Sequence, residues 1–357
     1  MEYRCAWPLP NRRLHLLLAV MAAVGTLAGL SHGAADPAAA CQASKLHHAG
    51  RYVRAVLSCY SLAAADKTPV DAACGSTAET RLSHSFARAE GEGGCTTRRD
   101  AAAVRQAVDH VAGALGNALR PDAPGSACSA TKLSAAGEYL SRTLELYAKQ
   151  RIYRNDGRLS QGDSYNAVRF YRAFEKADAE QCETTKDSLI VLARLEDLTG
   201  DLVETLWPLS ALGVSFDRPV GWHLNPFFLV AGGYVELNNF SNAYIHGGII
   251  PPGGAVIDVG EDDSPTPSLT TLAKGEARQE DAVIDSTLDV LVSGASALEV
   301  FKHHTFREDG DLKMIDIYVL HRPVRYRLRL HCWSDDPVDH VKTFEAFWRS
   351  VRFADRP

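Results

Sequence analysis

A stripe of basic side chains lies on one predicted strand near the C-terminus of the chain. Arginine occupies alternate positions of residues 324–333, at Arg325, Arg327 and Arg329, and His331 continues the row. Because successive side chains of a strand point to opposite faces, these four share one face of a sheet. Guanidinium groups in such a row could bind an anionic partner through bidentate hydrogen bonds. The favoured interpretation is a solvated outer face whose charges are balanced by nearby acids.

The thirteen histidines offer metal ligands, but their spacing does not define a site. His246 opens a glycine- and proline-rich loop, residues 246–254, and acidic residues follow at Asp258, Asp262 and Asp263. The loop lacks the residues of a P-loop or of a hydrolase elbow, and the chain has no His-Glu-x-x-His. A rigid connection between strands, able to form a lip for binding, is the favoured interpretation. The alternative is a hydrolase, metal-dependent or of another kind, that works at residues 246–263.

The composition and the N-terminus indicate an exported globular protein. The chain has 357 residues, of which 46% are hydrophobic and 23% charged, enough for two or three ordinary domains. A net charge of -6 gives no reason to expect a nucleic-acid partner. Residues 1–35 have the pattern of a signal peptide, with Arg12 and Arg13 ahead of an apolar stretch and small residues at its end. An uncleaved membrane anchor is the alternative.

Two homologous segments follow each other in the N-terminal half. Residues 41–52 (CQASKLHHAGRY) recur 87 positions later as residues 128–139 (CSATKLSAAGEY). Further along, residues 86–89 match residues 174–177, with one residue gained or lost between the copies. Agreement over this length indicates an internal duplication.

The duplication also predicts how the cysteines pair. Each copy has two cysteines 54 residues apart, and the first copy has a further two that the second lacks together. Cysteines that are present or absent as pairs are most simply bonded as pairs, and no Cys-x-x-Cys suggests metal ligation. The predicted disulfides are Cys41–Cys95, Cys59–Cys74 and Cys128–Cys182. The remaining cysteine after the signal peptide, Cys332, falls on the apolar side of its strand and is predicted to be a buried, unreactive thiol.

Each copy is predicted to be a bundle of three helices. Apolar residues recur at helical spacing, as at Leu46, Ala49 and Val53, and helix-forming residues dominate. Copy 1 covers residues 36–120 and copy 2 covers residues 121–208. Such small bundles bury little surface alone, so disulfides that join helix ends are expected to add stability that the small core does not supply.

Strand-like segments replace helical ones after Trp207, and residues 209–357 form a separate predicted domain. A helix is predicted over residues 268–278 and another from Asp336, with Pro337 at its first position. The predicted strands are residues 214–216, 227–230, 233–238, 255–259, 297–306, 313–320 and 324–333.

This order of elements resembles a PsbP-like domain, which is an α/β/α sandwich. The resemblance covers residues 212–355 and rests on residues 216–222 (FDRPVGW) and residues 344–353 (FEAFWRSVRF). It implies a non-enzymatic, protein-docking module. The fold class is thus multidomain: an all-α disulfide-framed helical repeat in two copies, followed by an α+β PsbP-like domain. The Cys-framed repeat itself resembles helical repeats of exported myxobacteria-like proteins.

The sequence therefore predicts an exported, non-catalytic binding or scaffold protein in the periplasm, cell envelope or extracellular space. Its expected partner is another envelope or secreted protein. No cofactor, metal or nucleic acid is expected, and contact with a membrane is expected only through the N-terminal segment if that segment is retained.

Overall fold

A computed structural model describes most of the chain from residue 36 onwards. The described residues are 36–119, 127–153, 156–180, 182, 184–207, 209, 213–232, 234–240, 250–251, 253–262, 268–306, 310–321, 324–333 and 340–354. The predicted signal peptide lies outside them.

Six helices form the described part of the N-terminal half, three from each copy of the repeat. They are α1 (Pro37–Asp66), α2 (Ala72–Gly91), α3 (Ala101–Ala118), α4 (Ala127–Tyr153), α5 (Asp156–Ala179) and α6 (Ser188–Leu206). Local signals set their ends: the Asp36 side chain accepts a hydrogen bond from the Ala38 amide, the Asp71 side chain accepts one from the Ala73 amide, and Pro37 opens α1. Lys67, in the left-handed conformation, ends α1.

The two copies pack against each other through equivalent surfaces. Helix α1 packs along its counterpart α4, and α3 packs along its counterpart α6. A Cβ added at Gly50 would lie 3.3 Å from the Leu144 Cβ, and one added at Gly137 would lie 3.2 Å from the Leu57 Cβ. Since Gly137 and Leu144 are the repeats of Gly50 and Leu57, the contact is reciprocal. The copies are thus related by a pseudo-twofold axis, as in an isologous dimer.

The C-terminal half is built on a seven-stranded antiparallel sheet with the strand order β2-β3-β4-β8-β7-β6-β5. Its strands are β2 (His223–Asn225), β3 (Val235–Asn238), β4 (Ala255–Glu261), β5 (Val283–Val292), β6 (Ala295–Phe306), β7 (Gly310–His321) and β8 (Val324–Trp333). A separate antiparallel pair joins β1 (Val214–Ser215) to β9 (Arg352–Phe353). The helices of this half are α7 (Pro226–Gly232), α8 (Leu269–Gln279) and α9 (His340–Ser350).

Helices lie on both faces of the sheet. On one face, Leu272 and Ala273 of α8 pack against Leu298, Val300 and Tyr318. The residues of the opposite face belong to the main apolar core, together with Phe344 and Phe347 of α9. This core continues into the helical half, where α6 meets β2: a Cβ at Gly200 would lie 2.5 Å from the Leu224 carbonyl oxygen. The expected layout of a helical part followed by a mostly antiparallel sheet is confirmed.

Two elements differ from the sequence predictions. Residues 227–230, predicted as a strand, lie in α7, because Pro226 opens a helix there and the Asn225 side chain caps the Phe227 amide at 3.1 Å. Strand β5 was not predicted, since most of its side chains are exposed and it shows no apolar alternation. The turn that pairs it with β6, Ser293-Gly294, has positive φ at both residues, as a type I′ hairpin requires. The predicted helix start at Asp336 lies outside the described residues.

Candidate functional site

Three disulfides hold the helical half together, and they are the three pairs that the duplication predicts. Cys41–Cys95 joins the start of α1 to the loop after α2, and Cys128–Cys182 makes the same connection in copy 2, each across 54 residues. Cys59–Cys74 joins the end of α1 to the start of α2. Cys332 is buried, as its place on the apolar side of the strand predicts. Disulfides of this kind are typical of exported proteins.

A fully buried lysine in each copy ties the first helix to the third. The Lys45 Nζ lies 2.8 Å from the Glu90 carboxylate, 2.7 Å from Asp100 and 2.8 Å from the carbonyl oxygen of Thr97. Phe86 closes the cluster, since the ammonium lies 5.4 Å from its ring centroid. Each charge is therefore matched by an opposite charge or a polar group.

Copy 2 repeats this cluster almost atom for atom. The Lys132 Nζ lies 2.6 Å from Asp178, 2.7 Å from Asp187 and 2.7 Å from the carbonyl oxygen of Thr184. Even the backbone is repeated: Arg99 and Lys186, at equivalent positions, have φ of 62° and 60°. The backbone amide of each residue donates to the acid that pairs with the lysine of its own copy, Arg99 to Glu90 and Lys186 to Asp178.

The buried lysines lower the pKa of the acids beside them. Burial acts to raise the pKa of Glu90 and of Asp178, but the hydrogen bonds from the lysine and from the backbone amide outweigh it. Both pKa values therefore lie below their ordinary range. The carboxylates stay ionised, so these clusters fix the helices in place and are not candidates for proton transfer.

Each copy contains a groove between its first and second helices. The groove of copy 1 has a volume of about 370 Å³, and that of copy 2 about 420 Å³. Most positions of the repeat that line one groove also line the other, including Arg51/Glu138, Tyr52/Tyr139, Arg81/Arg169 and Leu82/Phe170. The duplication has therefore produced two equivalent grooves with different linings.

The grooves share an apolar floor with a fixed tyrosine. Tyr52 is 4% exposed and donates to Asp109 on α3 at 2.8 Å, and Tyr139 is 2% exposed and donates to Glu196 on α6. Burial, followed by the hydrogen-bonded Asp109 carboxylate, raises the pKa of Tyr52. The tyrosines are thus held as neutral hydrogen-bond donors beneath both grooves.

The groove of copy 2 supplies its own negative charge. The Glu138 carboxylate lies 3.1 Å from the guanidinium of Arg142, 4.0 Å from that of Arg169, and 3.7 Å from that of Arg54 in the other copy. One carboxylate therefore stands among three guanidinium groups, and each of these arginines has a carboxylate of the chain within 4.0 Å.

The groove of copy 1 is positively charged. Arg51 stands where copy 2 has Glu138, and both Arg51 and Arg81 are exposed. Neither of them forms an ion pair with any residue that the structure describes. Burial, together with the positive charges of His47, Arg51 and Arg88, lowers the pKa of the neighbouring His48. This rim presents cations without an internal carboxylate to match them.

The predicted arginine stripe does share one face of the sheet, but that face is not solvated at Arg329. Its guanidinium is 8% exposed and contacts Asp316, Glu276 at 3.1 Å and Glu280 at 2.6 Å. Helix α8 lies over this part of the sheet and brings the last two acids onto the arginine. The expectation of acids that balance the charge is met, whereas the expectation of solvent exposure is wrong for Arg329.

The rest of the stripe is also engaged with acids. Arg327 lies 2.8 Å from Glu276, Arg325 lies 3.9 Å from Asp262, and His331 lies 3.3 Å from Asp258. Each basic residue of the stripe thus already has an internal carboxylate partner. The anion-binding interpretation of Arg325, Arg327 and Arg329 consequently loses its basis, and we do not place the candidate site there.

A buried ion network extends from Arg329 across the neighbouring strands. Lys302 and Asp316 are both inaccessible to solvent, and their charged atoms lie 2.6 Å apart. Burial acts to raise the pKa of Asp316, but Arg329 and Lys302 outweigh it and hold that pKa well below its usual range. Removing one member would leave the others buried without a counter-charge. The network belongs to the packing of α8 on the sheet.

One carboxyl group on the same face of the sheet behaves differently. Burial, reinforced by the neighbouring Asp258, raises the pKa of Glu236 to about 8, against a weaker opposing hydrogen bond from Asn225. The Asn225 Nδ2 donates to the Glu236 Oε1 at 2.7 Å. Glu236 is therefore protonated at neutral pH.

The loop region of the hydrolase alternative is only partly described. His246 and Asp263 lie outside the described residues, so the hydrolase alternative at residues 246–263 stays a prediction. Within the described parts of the chain, no group of three or more histidine, cysteine or acidic side chains could hold a metal ion. Nor does any helix there combine the length and apolar character needed to cross a bilayer.

The grooves were not predicted from the sequence. Their signal was present in the repeat itself: residues 41–52 and 128–139 match closely, yet Arg51 is replaced by Glu138, which reverses the charge. The sequence alone thus shows that the two copies differ in charge at this position. What could not be deduced was that Arg81 lies across from it, because that depends on the packing of α2 on α1.

Comparison with known proteins adds no assignment. No protein-family model matches the chain, and no curated protein matches it. Among solved structures, the chain is similar to a protein of unknown function from Pseudomonas aeruginosa, at 18% identity and a TM-score of 0.25. That match covers 29% of this chain and 74% of the other.

Proposed function

We propose that the chain is an exported, non-catalytic binding protein that recognises another envelope or secreted protein through the groove of copy 1. The observation that carries this proposal is the unequal pair of grooves. In copy 2 the arginines of the groove lie within 4.0 Å of Glu138, whereas in copy 1 the same architecture presents Arg51 and Arg81 without such a carboxylate. An exposed groove with unmatched charge is a feature of recognition surfaces.

Export is supported by the covalent framework of the helical half. Three disulfides within the helical half are typical of proteins that fold in an oxidising compartment. The signal-peptide pattern of residues 1–35 supports the same conclusion. N-terminal sequencing of the protein recovered from the exported fraction tests it, with a start near Asp36 as the expected result.

We propose further that the C-terminal half is a PsbP-like α/β/α sandwich that serves as a docking module. Its support is the contact between the two segments that carry the resemblance. The ring of Phe216, in the first segment, packs against that of Phe347, in the second, with centroids 4.9 Å apart. Strands β1 and β9, from the same two regions, pair antiparallel.

Site-specific photocrosslinking tests the binding function. A photoreactive amino acid is placed at Ser85, which lines the groove of copy 1, or at Ala173, its counterpart in the groove of copy 2. Illumination of the exported fraction is expected to link one defined protein to the Ser85 variant but not to the Ala173 variant. Equal crosslinking at both positions, or at neither, would contradict recognition through the groove of copy 1.

A further inference from the structure

We infer that the groove of copy 1 takes carboxylate side chains of an acidic peptide segment in the partner protein. This inference rests on the proposed binding function and names the chemistry of the partner. It is drawn from a comparison of the two grooves. In copy 2 the repeated arginine, Arg169, pairs with a carboxylate of the chain itself, that of Glu138.

The groove of copy 2 shows which chemical group pairs with the arginine that both copies share. Arg169, the counterpart of Arg81, stands 4.0 Å from the carboxylate of Glu138. In copy 1 the position of that carboxylate is taken by the Arg51 side chain, so two guanidinium groups remain where copy 2 has an ion pair. Carboxylates match the planar donor fork of arginine in charge and geometry. A carboxylate from outside is thus the group that completes the groove of copy 1.

Nearby acids of the chain do not fill this role. The Asp109 carboxylate, on α3, accepts the hydrogen bond of Tyr52, and Glu79 pairs with Arg105 at 2.9 Å. The histidines His48 and His84 also line the groove and add no negative charge. Both helices that form the rim, α1 and α2, therefore contribute positive charge to it.

The shape of the groove favours a peptide over a free anion. Its floor consists of buried apolar side chains, including Ala78 and Leu82, which are 5% and 3% exposed. The groove runs between two helices and opens to solvent along its rim. A segment in which acidic and apolar side chains are neighbours can pair with the arginines of the rim and also pack on the apolar floor. A small inorganic anion can only pair with the arginines.

The inference is tested by binding of labelled peptides to the full disulfide-bonded chain. The probe is a fluorescent peptide of glutamate and leucine, compared with the same peptide carrying glutamine for glutamate. Fluorescence anisotropy is expected to show binding of the first peptide that weakens with added salt, and much weaker binding of the second. Citrate and inorganic phosphate serve as competitors, and neither is expected to displace the peptide at comparable concentration.

Charge variants locate the site. Arg51→Glu places a carboxylate where copy 2 has one, and Arg81→Glu removes the facing cation, so each is expected to weaken peptide binding about tenfold or more. Arg98→Glu is the matched control: it makes the same charge change at an exposed residue of copy 1 outside the groove, and it should bind like the unaltered protein. Circular dichroism checks that all three variants fold.

The outcomes separate this inference from the proposed function. If the acidic peptide does not bind, if the glutamine peptide binds equally well, or if Arg51→Glu and Arg98→Glu have equal effects, the carboxylate inference is overturned. If citrate or phosphate displaces the peptide at comparable concentration, the inference is likewise overturned, because a free anion is then enough to fill the groove. In each of these cases, crosslinking from Ser85 to a defined protein would leave the proposed binding function standing.

Discussion

At the scale of single residues, the buried lysines are the strongest local determinants of the helical half. Lys45→Ala leaves Glu90 and Asp100 without their cation, so we expect it to lower the free energy of unfolding by about 3–5 kcal/mol. Lys132→Ala should have an effect of the same size, because its cluster is equivalent. Urea denaturation measures both. Lys176→Ala, at an exposed position of α5, is the control, and a loss there as large as at Lys45 would contradict the argument.

Glu236 gives the protein a predicted pH dependence of stability. The pKa of a glutamate in the unfolded chain is about 4.3, whereas burial raises that of Glu236 to about 8. Between these values the unfolded chain releases a proton that the folded chain retains, so this group's contribution to stability falls as the pH rises. Glu236→Gln should remove that decline and be more stable than the unaltered protein at pH 8, as measured by thermal unfolding across the pH range.

The matched control for the pH dependence is Glu92→Gln. Glu92 is 71% exposed, so its substitution should leave the curve of stability against pH in this interval unchanged. A decline that persists in Glu236→Gln would show that another group causes it.

Residue-scale predictions from the sequence succeed where the repeat supplies the missing information. The cysteine pairs follow from which cysteines occur together, and the burial of Cys332 follows from alternation along β8. The burial of Arg329 could not be predicted in this way, because it depends on α8, which lies some fifty residues earlier in the chain and crosses the same face of the sheet. Likewise, Lys45 and Lys132 are visibly repeated, but the acids that neutralise them come from other helices.

At the scale of elements, one glycine determines how the helical half meets the sheet. Gly200 of α6 faces the carbonyl oxygen of Leu224 at a distance that leaves no room for a side chain. We expect Gly200→Ala to lower the free energy of unfolding by about 1–3 kcal/mol, because either β2 or α6 must shift. Chemical denaturation of the full chain provides the measurement.

The duplication supplies a matched control for this substitution. Gly113 is the counterpart of Gly200 in α3, but a Cβ there would meet only the Tyr60 hydroxyl at 3.6 Å, an ordinary contact. Gly113→Ala should therefore be neutral or stabilise the protein by up to about 1 kcal/mol, since alanine favours helix more than glycine does. Similar effects at the two positions would show that helix propensity, and not the contact with β2, dominates.

Sequence patterns predict long elements better than short ones in this chain. The six helices are long and periodic, and strands β6 to β8 combine alternation with clear turns, so both groups are found where expected. Residues 227–230 are apolar but few, and such a run fits a strand and a buried helix equally well. The choice of helix depends on the Asn225 cap, and the formation of β5 depends on the Ser293-Gly294 turn and on pairing with β6.

At the scale of the whole molecule, the long disulfides are expected to contribute more than the short one. On the loop-entropy model, replacing both Cys41 and Cys95 by serine should cost about 4 kcal/mol, and replacing both Cys59 and Cys74 about 3 kcal/mol. The difference arises because the first bridge spans 54 residues and the second 15. Unfolding in guanidinium chloride measures both, and a larger loss for the short bridge would show that native contacts outweigh chain entropy.

The reciprocal contact between α1 and α4 has a consequence for the history of the chain. Two copies that meet through the same surface have the geometry of a homodimer whose subunits were later joined by gene fusion. In a homodimer every substitution appears twice, so the position of Arg51 and Glu138 would hold the same residue on both sides. Fusion removes that constraint, and the single polypeptide can carry arginine in one groove and glutamate in the other.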